Sequence, residues 1–260
     1  WCDLDVDPKN RLEYFGSDNI RKADFHLQWY EAIDRFTNPK KIIIVDSDSP
    51  VPPPYNHDDD RIEHICLTEN AGHPTNHKGH LSGVTRAHLY GISYALVNEV
   101  DYWVYVEQDA LVYGPEIVEH CIGQMNRPYM FGSGKGTLHP VQHALMIIRK
   151  DGYLNYINRL YRIRANDQEL STERKTAIAA SRWWSLLPNF FHPKNDDKSL
   201  WNQGKWVLHQ LLEYCLKGYD EIPFGYGRQR PIHFEDDFFY FQHASKEELQ
   251  AYGQRMEQVN

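Results

Sequence analysis

A buried strand that ends in two carboxylates constrains this chain more than any other feature. The stretch Tyr102–Val106 is a nearly continuous apolar run, typical of a strand covered on both faces, and Glu107 and Asp109 follow it directly. Side chains at positions i and i+2 of an extended chain point the same way, so the two carboxylates are predicted to converge on one object. An ion with several oxygen ligands, such as Mg²⁺ or Mn²⁺, is the natural candidate, and such an ion can hold a phosphate.

Strands and helices alternate along the first half of the chain. The apolar periodicity predicts strands over 11–17, 41–45 and 61–67 and helices over 24–36 and 81–98. Such alternation predicts an α/β fold with a mostly parallel central sheet flanked by helices on both faces. Asp46 follows one predicted strand as Glu107 and Asp109 follow another. Because ligands bind these sheets at the carboxyl ends of the strands, we expect the three carboxylates at one ligand-binding edge.

The second half of the chain is less regular but still alternates. Residues 129–136 are predicted to run as a strand into a glycine-rich turn, and 142–148 to form another strand, while the segment 232–243 carries a late apolar strand. Helices are predicted over 152–163, 172–181 and 200–218. Ser245 and Glu248 have the spacing of a capping box, which predicts a terminal helix. With 260 residues, the chain is long enough for one large α/β domain.

Composition excludes some classes of partner. The net charge of −8 argues against nucleic acid, and no apolar run approaches the roughly 20 residues that a membrane span needs. The four cysteines (Cys2, Cys66, Cys121 and Cys215) lack paired spacing and are predicted to be reduced thiols. These features predict a cytoplasmic protein, with association at a membrane left open. Because the chain begins at Trp1, a lumenal domain of an anchored protein also stays open.

The combined pattern resembles the GT-A-fold glycosyltransferases, which use nucleotide-diphosphate sugars as donors. The residues that carry the resemblance are Asp46 after the second strand, Arg86 on a helix, the Glu107-Gln108-Asp109 motif and a late histidine. The motif has Glu where Asp is usual at its first position. The resemblance runs from residue 11 to residue 243 and implies one GT-A-like domain over 1–260. Residues 11–125 would form the nucleotide-sugar-binding half and residues 126–260 the acceptor-binding half.

The resemblance implies roles for residues at the nucleotide. Phe15, Gly16 and Ser17, at the end of the first predicted strand, would contact the base and ribose together with Asp46, and Arg86 would lie near the base or the diphosphate. Two of these have plain alternatives. Asp46 could instead close an Asx-turn, and Arg86 could pair on the surface with Glu99 or Asp101. A UDP-sugar donor is favoured by the resemblance, and a GDP-sugar remains an alternative.

A metal site is implied at the carboxylate pair. Asp109 would bind Mn²⁺ or Mg²⁺ directly, and Glu107 would contact the metal, the ribose or a bound water. His243 would complete the coordination shell, although His233 competes for that role. The alternative is that the two carboxylates are simply solvated at a strand end. A divalent cation suits the reaction because negative charge accumulates on the diphosphate leaving group.

A catalytic base is needed only if the anomeric configuration inverts, because a carboxylate then accepts the proton of the acceptor hydroxyl. Asp236, in a Glu-Asp pair, and Glu173, at a predicted helix start, rank ahead of Asp196 and Asp197. The helix dipole would also stabilise Glu173 without any catalytic role. The acceptor would be a hydroxyl of a glycan, a lipid-linked sugar or a protein.

Two other motifs and two other functions compete with this interpretation. His73, His77 and His80 have spacings compatible with zinc but lack a companion ligand motif, and the glycine loop 132–136 lacks Walker spacing. A polar loop and a turn are the expectations there. The competing functions are a sugar nucleotidyltransferase and a non-catalytic carbohydrate-binding domain that uses exposed aromatic rings and no metal.

Overall fold

The computed structural model describes residue 1 and residues 15–258, so most of the strand predicted over 11–17 lies outside the described residues. The helices are α1 (Ala23–Phe36), α2 (Gly83–Val97), α3 (Ile117–Ile122), α4 (Tyr153–Arg162), α5 (Thr172–Ala180), α6 (Leu200–Leu216) and α7 (Lys246–Glu257). The strands are β1 (Ile42–Asp46), β2 (Ile62–Cys66), β3 (Gly72–His73), β4 (Asn76–His77), β5 (Tyr102–Val106), β6 (Ala110–Tyr113), β7 (Tyr129–Ser133), β8 (Val141–Arg149), β9 (Asp220–Glu221), β10 (Tyr226–Gly227) and β11 (Phe239–Gln242). The chain is thus a mixed α/β fold that forms one domain.

The sheets are small and mixed, which differs from the mostly parallel central sheet that the sequence predicts. The largest has the order β5-β8-β7-β9; β8 runs antiparallel to β5 and β7, and β9 runs parallel to β7. β1 and β2 form a separate parallel pair, and β10, β11 and β6 form a third sheet. The physical reason is the connections: β7 reaches β8 through a short loop, which favours an antiparallel pair, whereas parallel neighbours need a long crossover.

Strand β8 lies at the centre of the fold, with helices on both of its faces. Leu145 and Ile147 point into a core that includes residues of α1, α7, β6 and β11. Met146 and Ile148, one position out of phase, point into a second core that includes residues of α2, α4 and α5. All four side chains are fully buried. Because neighbouring side chains of a strand alternate between its faces, one strand supplies both cores.

A change of sheet positions the carboxylate motif. β5 belongs to the four-stranded sheet, and β6, which begins at Ala110, pairs with β11 in the three-stranded sheet. In that antiparallel pair Gln242 lies opposite Ala110. The next residues outward, His243 and Asp109, therefore meet at the junction of the two sheets.

Most of the predicted helices and strands are confirmed within a few residues, including α1, α2, α4, α5, β1, β5 and β8. The predicted capping box is confirmed at α7, where the Ser245 side chain accepts from the Glu248 amide and the Glu248 carboxylate accepts from the Ser245 amide. β6, α3 and the short β3–β4 hairpin were not predicted. In the described part of the chain, no helix is both long and apolar enough to cross a membrane.

Candidate functional site

The two carboxylates of the motif converge on one nitrogen atom, through a turn at residues 107–110 and not through the extended chain from which the sequence predicts convergence. The side-chain amide Nε2 of Gln242 donates to Glu107 Oε2 at 2.7 Å and to Asp109 Oδ1 at 3.1 Å. A tight turn produces this arrangement, since the Ala110 amide donates to the Glu107 carbonyl at 3.0 Å. The Glu107 amide in turn donates to the Ala144 carbonyl on β8, which fixes the turn to the central strand.

His243 lies beside this pair at the end of β11. Its Nε2 is 3.4 Å from Asp109 Oδ2, and its side chain is 22% exposed. Its backbone is in the left-handed region, with φ of 59°, which turns the chain away from the strand. The competing His233 has other neighbours: its Nδ1 lies 3.6 Å from Glu235 Oε1, and its ring centroid is 5.9 Å from that of Tyr226. The structure therefore brings together Glu107, Asp109 and His243.

The segment at residues 15–17 packs against His243. The Phe15 ring stacks on the His243 ring with centroids 5.5 Å apart and an interplanar angle of 16°. The Ser17 amide donates to the Ala244 carbonyl at 2.7 Å. Gly16 has φ of 75°, and a Cβ there would lie 2.6 Å from the His243 carbonyl carbon, so this close approach requires glycine. Three of the residues predicted to contact the nucleotide thus pack against His243 and Ala244 at the end of β11.

A polar chain leads from the carboxylate pair to Glu173. Gln242 Oε1 accepts a hydrogen bond from Arg228 Nε at 3.1 Å, and Arg228 Nη2 lies 4.0 Å from Glu173 Oε1. The Arg228 amide donates to Gln142 Oε1 at 2.7 Å, which holds this arginine to the start of β8. Glu173 is in the first turn of α5, as predicted. Glu173 is therefore coupled to the motif through one arginine and one amide.

Glu173 is ionised at neutral pH. Burial alone would raise its pKa, but electrostatic interactions with the neighbouring His143, His139 and Arg228 lower the pKa of Glu173 to about 2. Its Oε2 also accepts from Thr172 Oγ1 at 3.2 Å and lies 3.8 Å from His139 Nδ1. Such a carboxylate is a good hydrogen-bond acceptor and a weak proton acceptor at neutral pH.

His143, at the start of β8, is neutral at the same pH. Burial, with smaller contributions from Arg228 and His139, lowers the pKa of His143 to about 4 against the opposing effect of the Glu173 carboxylate. Its Nε2 shares a hydrogen bond of 2.9 Å with Thr176 Oγ1 of α5. This contact fixes the orientation of the imidazole against the helix that carries Glu173.

These groups share one cleft. Its lining includes Glu107, Asp109, His243, Arg228, His139 and Glu173. The cleft thus has a carboxylate motif with an imidazole in one part and an ionised glutamate in another. Such an arrangement can hold a cation near one end of a bound molecule and orient a hydroxyl near the other.

Asp46 and Arg86 are held by local partners. Asp46 is 2% exposed, its Oδ1 accepts from the Ser49 amide at 3.1 Å, and its Oδ2 lies 3.6 Å from His64 Nε2. Arg86 donates to Glu69 at 2.8 Å and to the carbonyls of Lys78 and Leu81. These contacts correspond to the alternative interpretations, a strand-end turn and a surface ion pair, although Arg86 pairs with Glu69 rather than with Glu99 or Asp101. Neither Asp46 nor Arg86 is one of the described residues that line the cleft.

Asp236 also lies apart from the carboxylate motif. It is exposed, and its Oδ2 accepts from the Tyr226 hydroxyl at 2.6 Å. The described lining of the cleft does not include it. Of the two acids predicted as catalytic, the structure therefore brings Glu173 and not Asp236 into the same cleft as Asp109.

The donor set suits a cation that is also held by a phosphate. Within residues 1 and 15–258, no three His, Cys, Asp or Glu side chains are grouped as a complete metal site. A nucleotide-bound Mg²⁺ needs less, because it is usually bound through one or two carboxylates together with waters and substrate phosphates. Glu107 and Asp109 already converge within 3.1 Å of one atom, and the His243 imidazole is a nitrogen ligand that Mn²⁺ accepts. The described residues also form no group of three possible metal ligands at the hairpin that contains His73 and His77. There, His73 Nδ1 contacts Thr75 Oγ1 at 2.8 Å.

Sequence reasoning missed Gln242, Arg228 and His139. Gln242 is a polar residue that is 1% exposed inside an aromatic strand, and that break in the apolar run just before His243 is a signal that could have found it. Arg228 and His139 are in irregular loops, where no periodicity marks a site residue. Cys66, Cys121 and Cys215 are free thiols, as predicted, whereas Cys2 lies outside the described residues.

Comparison with known proteins identifies no relative. No protein-family model, no curated protein and no solved structure matches this chain.

Proposed function

We propose that this protein is a metal-dependent glycosyltransferase. It would move a sugar from a nucleotide-diphosphate donor to a hydroxyl of a glycan, a lipid-linked sugar or a protein, on a GT-A-like domain. The observation that carries the proposal is the convergence of Glu107 and Asp109 on one point beside His243, in a cleft that also holds the ionised Glu173. A strand end without function does not need two partly buried acids that share one amide donor.

The carboxylate motif would hold the donor. Asp109 and Glu107 would supply carboxylate oxygens, and His243 an imidazole nitrogen, to Mn²⁺ or Mg²⁺. When bound, the cation would neutralise the negative charge that develops on the diphosphate as the bond to the sugar breaks. Gln242 would keep the two carboxylates apart and oriented, because its amide donates to both.

The nucleotide would lie against residues 15–17. The Phe15 side chain is 57% exposed and stacked on His243, so an aromatic face is offered beside the metal-binding carboxylates. A nucleobase has a flat face that stacks on such a ring. The resemblance described above favours a UDP-sugar, with a GDP-sugar as the alternative donor.

Glu173 would orient the acceptor. Its carboxylate is ionised and would accept a hydrogen bond from the reacting hydroxyl, which brings the oxygen into line with the sugar. As a proton acceptor it is weak, because its pKa is about 2. A bound acceptor that displaces Arg228 from Glu173 would raise the pKa of Glu173, since the arginine's charge lowers it. Binding of the acceptor would therefore increase the basicity of the Glu173 carboxylate.

Thermal unfolding with a panel of UDP-, GDP- and CMP-sugars, each with and without Mn²⁺, tests the proposal. A shift to higher melting temperature with one nucleotide class, present only with the metal, is the expected result. A thermal shift that occurs without Mn²⁺ would contradict the proposal that Asp109 and Glu107 bind the donor through a metal ion. The absence of any shift across the whole panel would contradict nucleotide-sugar binding.

A further inference from the structure

Tyr105 is a polar residue in the wall of the cleft, beside the carboxylate motif. It is half-buried on β5 and precedes Glu107 by two residues. Burial raises the pKa of its hydroxyl well above the ordinary value, and the negative charges of Glu107 and Asp109 raise it further. The hydroxyl is therefore within the electrostatic reach of both carboxylates and keeps its proton at neutral pH. Within residues 1 and 15–258, this hydroxyl makes no hydrogen bond.

His143 belongs to the same wall, next to Glu173, and a buried chain of hydroxyls determines which of its nitrogens carries the proton. His143 Nε2 lies 2.9 Å from Thr176 Oγ1, which also lies 3.0 Å from the Tyr156 hydroxyl. Tyr156 is fully buried and has this one side-chain hydrogen bond in the described part of the chain, so its hydroxyl donates to Thr176. Thr176 then donates its own proton to His143 Nε2, and the imidazole proton is on Nδ1.

The Nδ1–H group of His143 is thus a donor that faces the cleft. His143 is 4% exposed and lines the cleft, yet its Nδ1 has no hydrogen-bond partner among the residues that the structure describes. Buried donors in folded proteins are nearly always paired. Because the cleft is the open side of this imidazole, the expected partner is an oxygen atom of a bound molecule.

His88 holds both rings in one wall. Its imidazole contacts the Tyr105 ring at 4.3 Å and the His143 ring at 5.1 Å between centroids, edge-on in both cases. His88 itself is 2% exposed and lies behind the two rings. His143 is also next to Ala144, whose carbonyl accepts from the Glu107 amide. The two polar groups therefore border one another, with Tyr105 near the carboxylate motif and His143 near the acceptor side.

We propose that Tyr105 and His143 bind the sugar ring of the donor and select a neutral sugar. This inference rests on the proposed transferase function, in which the sugar extends from a diphosphate at Asp109 towards an acceptor at Glu173. The Tyr105 hydroxyl and the His143 Nδ1–H group would each form a hydrogen bond with a hydroxyl group of that sugar. Both side chains are uncharged at neutral pH, so they suit hydroxyl groups and offer no positive charge to the carboxylate of a sugar acid.

Calorimetric titration with and without the sugar isolates these contacts. The ligands are UDP, UDP-glucose, UDP-galactose and UDP-N-acetylglucosamine, each with Mn²⁺, and GDP with GDP-mannose and GDP-glucose if the protein binds guanine nucleotides instead. The wild type is expected to bind at least one neutral nucleotide sugar more tightly than the nucleotide alone. Tyr105→Phe keeps the ring and removes the hydroxyl. It should weaken binding of that nucleotide sugar by about threefold to tenfold and leave binding of the nucleotide alone unchanged.

Two more variants complete the experiment. His143→Gln keeps an amide for Thr176 and removes the Nδ1 donor, so it should show the same selective loss; if this buried substitution prevents folding, Tyr105→Phe decides alone. Tyr214→Phe makes the same chemical change at a side chain that is 89% exposed on α6, outside the cleft. This control should bind every ligand as the wild type does.

The possible outcomes separate this inference from the function on which it rests. Equal weakening of nucleotide and nucleotide-sugar binding by Tyr105→Phe would overturn the inference, because the hydroxyl would then act through the carboxylate motif. Unchanged nucleotide-sugar binding by Tyr105→Phe would overturn it too, as would wild-type binding of UDP-glucuronic acid that is as tight as that of the preferred neutral sugar. In these cases the transferase function still stands. A wild type that binds no nucleotide sugar with Mn²⁺ contradicts the transferase function and this inference together.

Discussion

Gln242 determines the geometry of the carboxylate pair at the residue scale. Its Nε2 donates to two carboxylates and its Oε1 accepts from Arg228, so both ends of a buried amide are satisfied. Two carboxylates that face one point repel each other unless a donor or a cation lies between them. In a site with no cation this amide is that donor, and the network it completes keeps the turn at residues 107–109 in one conformation.

Replacing Gln242 by Leu should therefore destabilise the fold. The expected loss in the free energy of unfolding is about 1–3 kcal/mol, because Arg228 and the two carboxylates lose a buried partner. Urea unfolding measures it, with Gln203→Leu on the exposed side of α6 as the control, for which a change within about 0.5 kcal/mol is expected. Equal effects of the two substitutions would show that the Gln242 network contributes nothing to stability.

Two buried histidines predict a loss of stability in acid. Burial lowers the pKa of His209 to about 3 and that of His192 to about 4, from an ordinary value of 6.5. Both stay neutral in the fold and take up protons when the chain unfolds. Their contribution to stability is therefore complete above pH 6.5 and is lost as the pH falls from there towards the folded-state values.

The pH slope of unfolding checks this expectation. Each such histidine contributes a slope of about 1.4 kcal/mol per pH unit below about pH 6. His209→Gln should remove from that slope the contribution of about one proton, whereas His57→Gln, at an exposed position, should leave the slope unchanged. An unchanged slope in His209→Gln would mean that this imidazole is already protonated in the fold.

A buried ion pair joins two helices at the element scale. Asp167 Oδ2 accepts from the amide and hydroxyl of Ser82, each at 2.7 Å, and from Thr85 Oγ1 at 2.8 Å, at the start of α2. Its Oδ1 accepts from Lys175 Nζ of α5 at 2.7 Å. All four side chains are fully or almost fully buried. This pair fixes α5 against α2, and α5 carries Glu173.

Removing one member of this pair should cost far more than removing one member of an exposed pair. Lys175→Met leaves an uncompensated buried carboxylate, and a loss of about 3–5 kcal/mol is expected. The matched control is Lys150→Met, because Lys150 pairs with Asp101 at 2.6 Å at a solvent-exposed site, and a loss of about 0–1 kcal/mol is expected there. Urea unfolding of both variants measures the two losses in the free energy of unfolding. Similar losses would contradict the claim that breaking an ion pair costs more when the pair is buried.

The sequence predicts elements better than it predicts how they pair. The helical spacing of α1 and the apolar run of β5 are local properties, so both could be recognised from a few neighbouring residues. The antiparallel pairing of β5 with β8 depends on contacts between residues more than 40 positions apart, such as Val104 and Ile147. No local pattern encodes that choice, and the expectation of a mostly parallel sheet therefore failed.

The candidate site depends on long-range contacts in the same way at the scale of the whole molecule. Glu107 and Asp109 could be picked from the sequence because they follow an apolar run, and His243 because it follows another. The prediction that the first of these strands is buried on both faces was wrong, since every residue of β5 is half-buried, whereas β11 is buried throughout. Gln242 interrupts an apolar run, which marks it as unusual, but its partner could not be predicted because Glu107 lies 135 positions away. The site exists because two sheets of different strand order meet at residues 107–110, which only the folded chain brings about.

The most direct test of the central claim is calorimetric titration of the nucleotide-diphosphate sugar, in the presence of Mn²⁺, into the wild type and Asp109→Asn. The comparison variant is Asp237→Asn, the same chemical change at an exposed position. We predict that Asp109→Asn weakens metal-dependent binding by about tenfold or more, because it removes one charged ligand contact worth about 1.5–3 kcal/mol. Asp237→Asn is predicted to bind as the wild type does. Unaltered metal-dependent binding by Asp109→Asn would contradict the account.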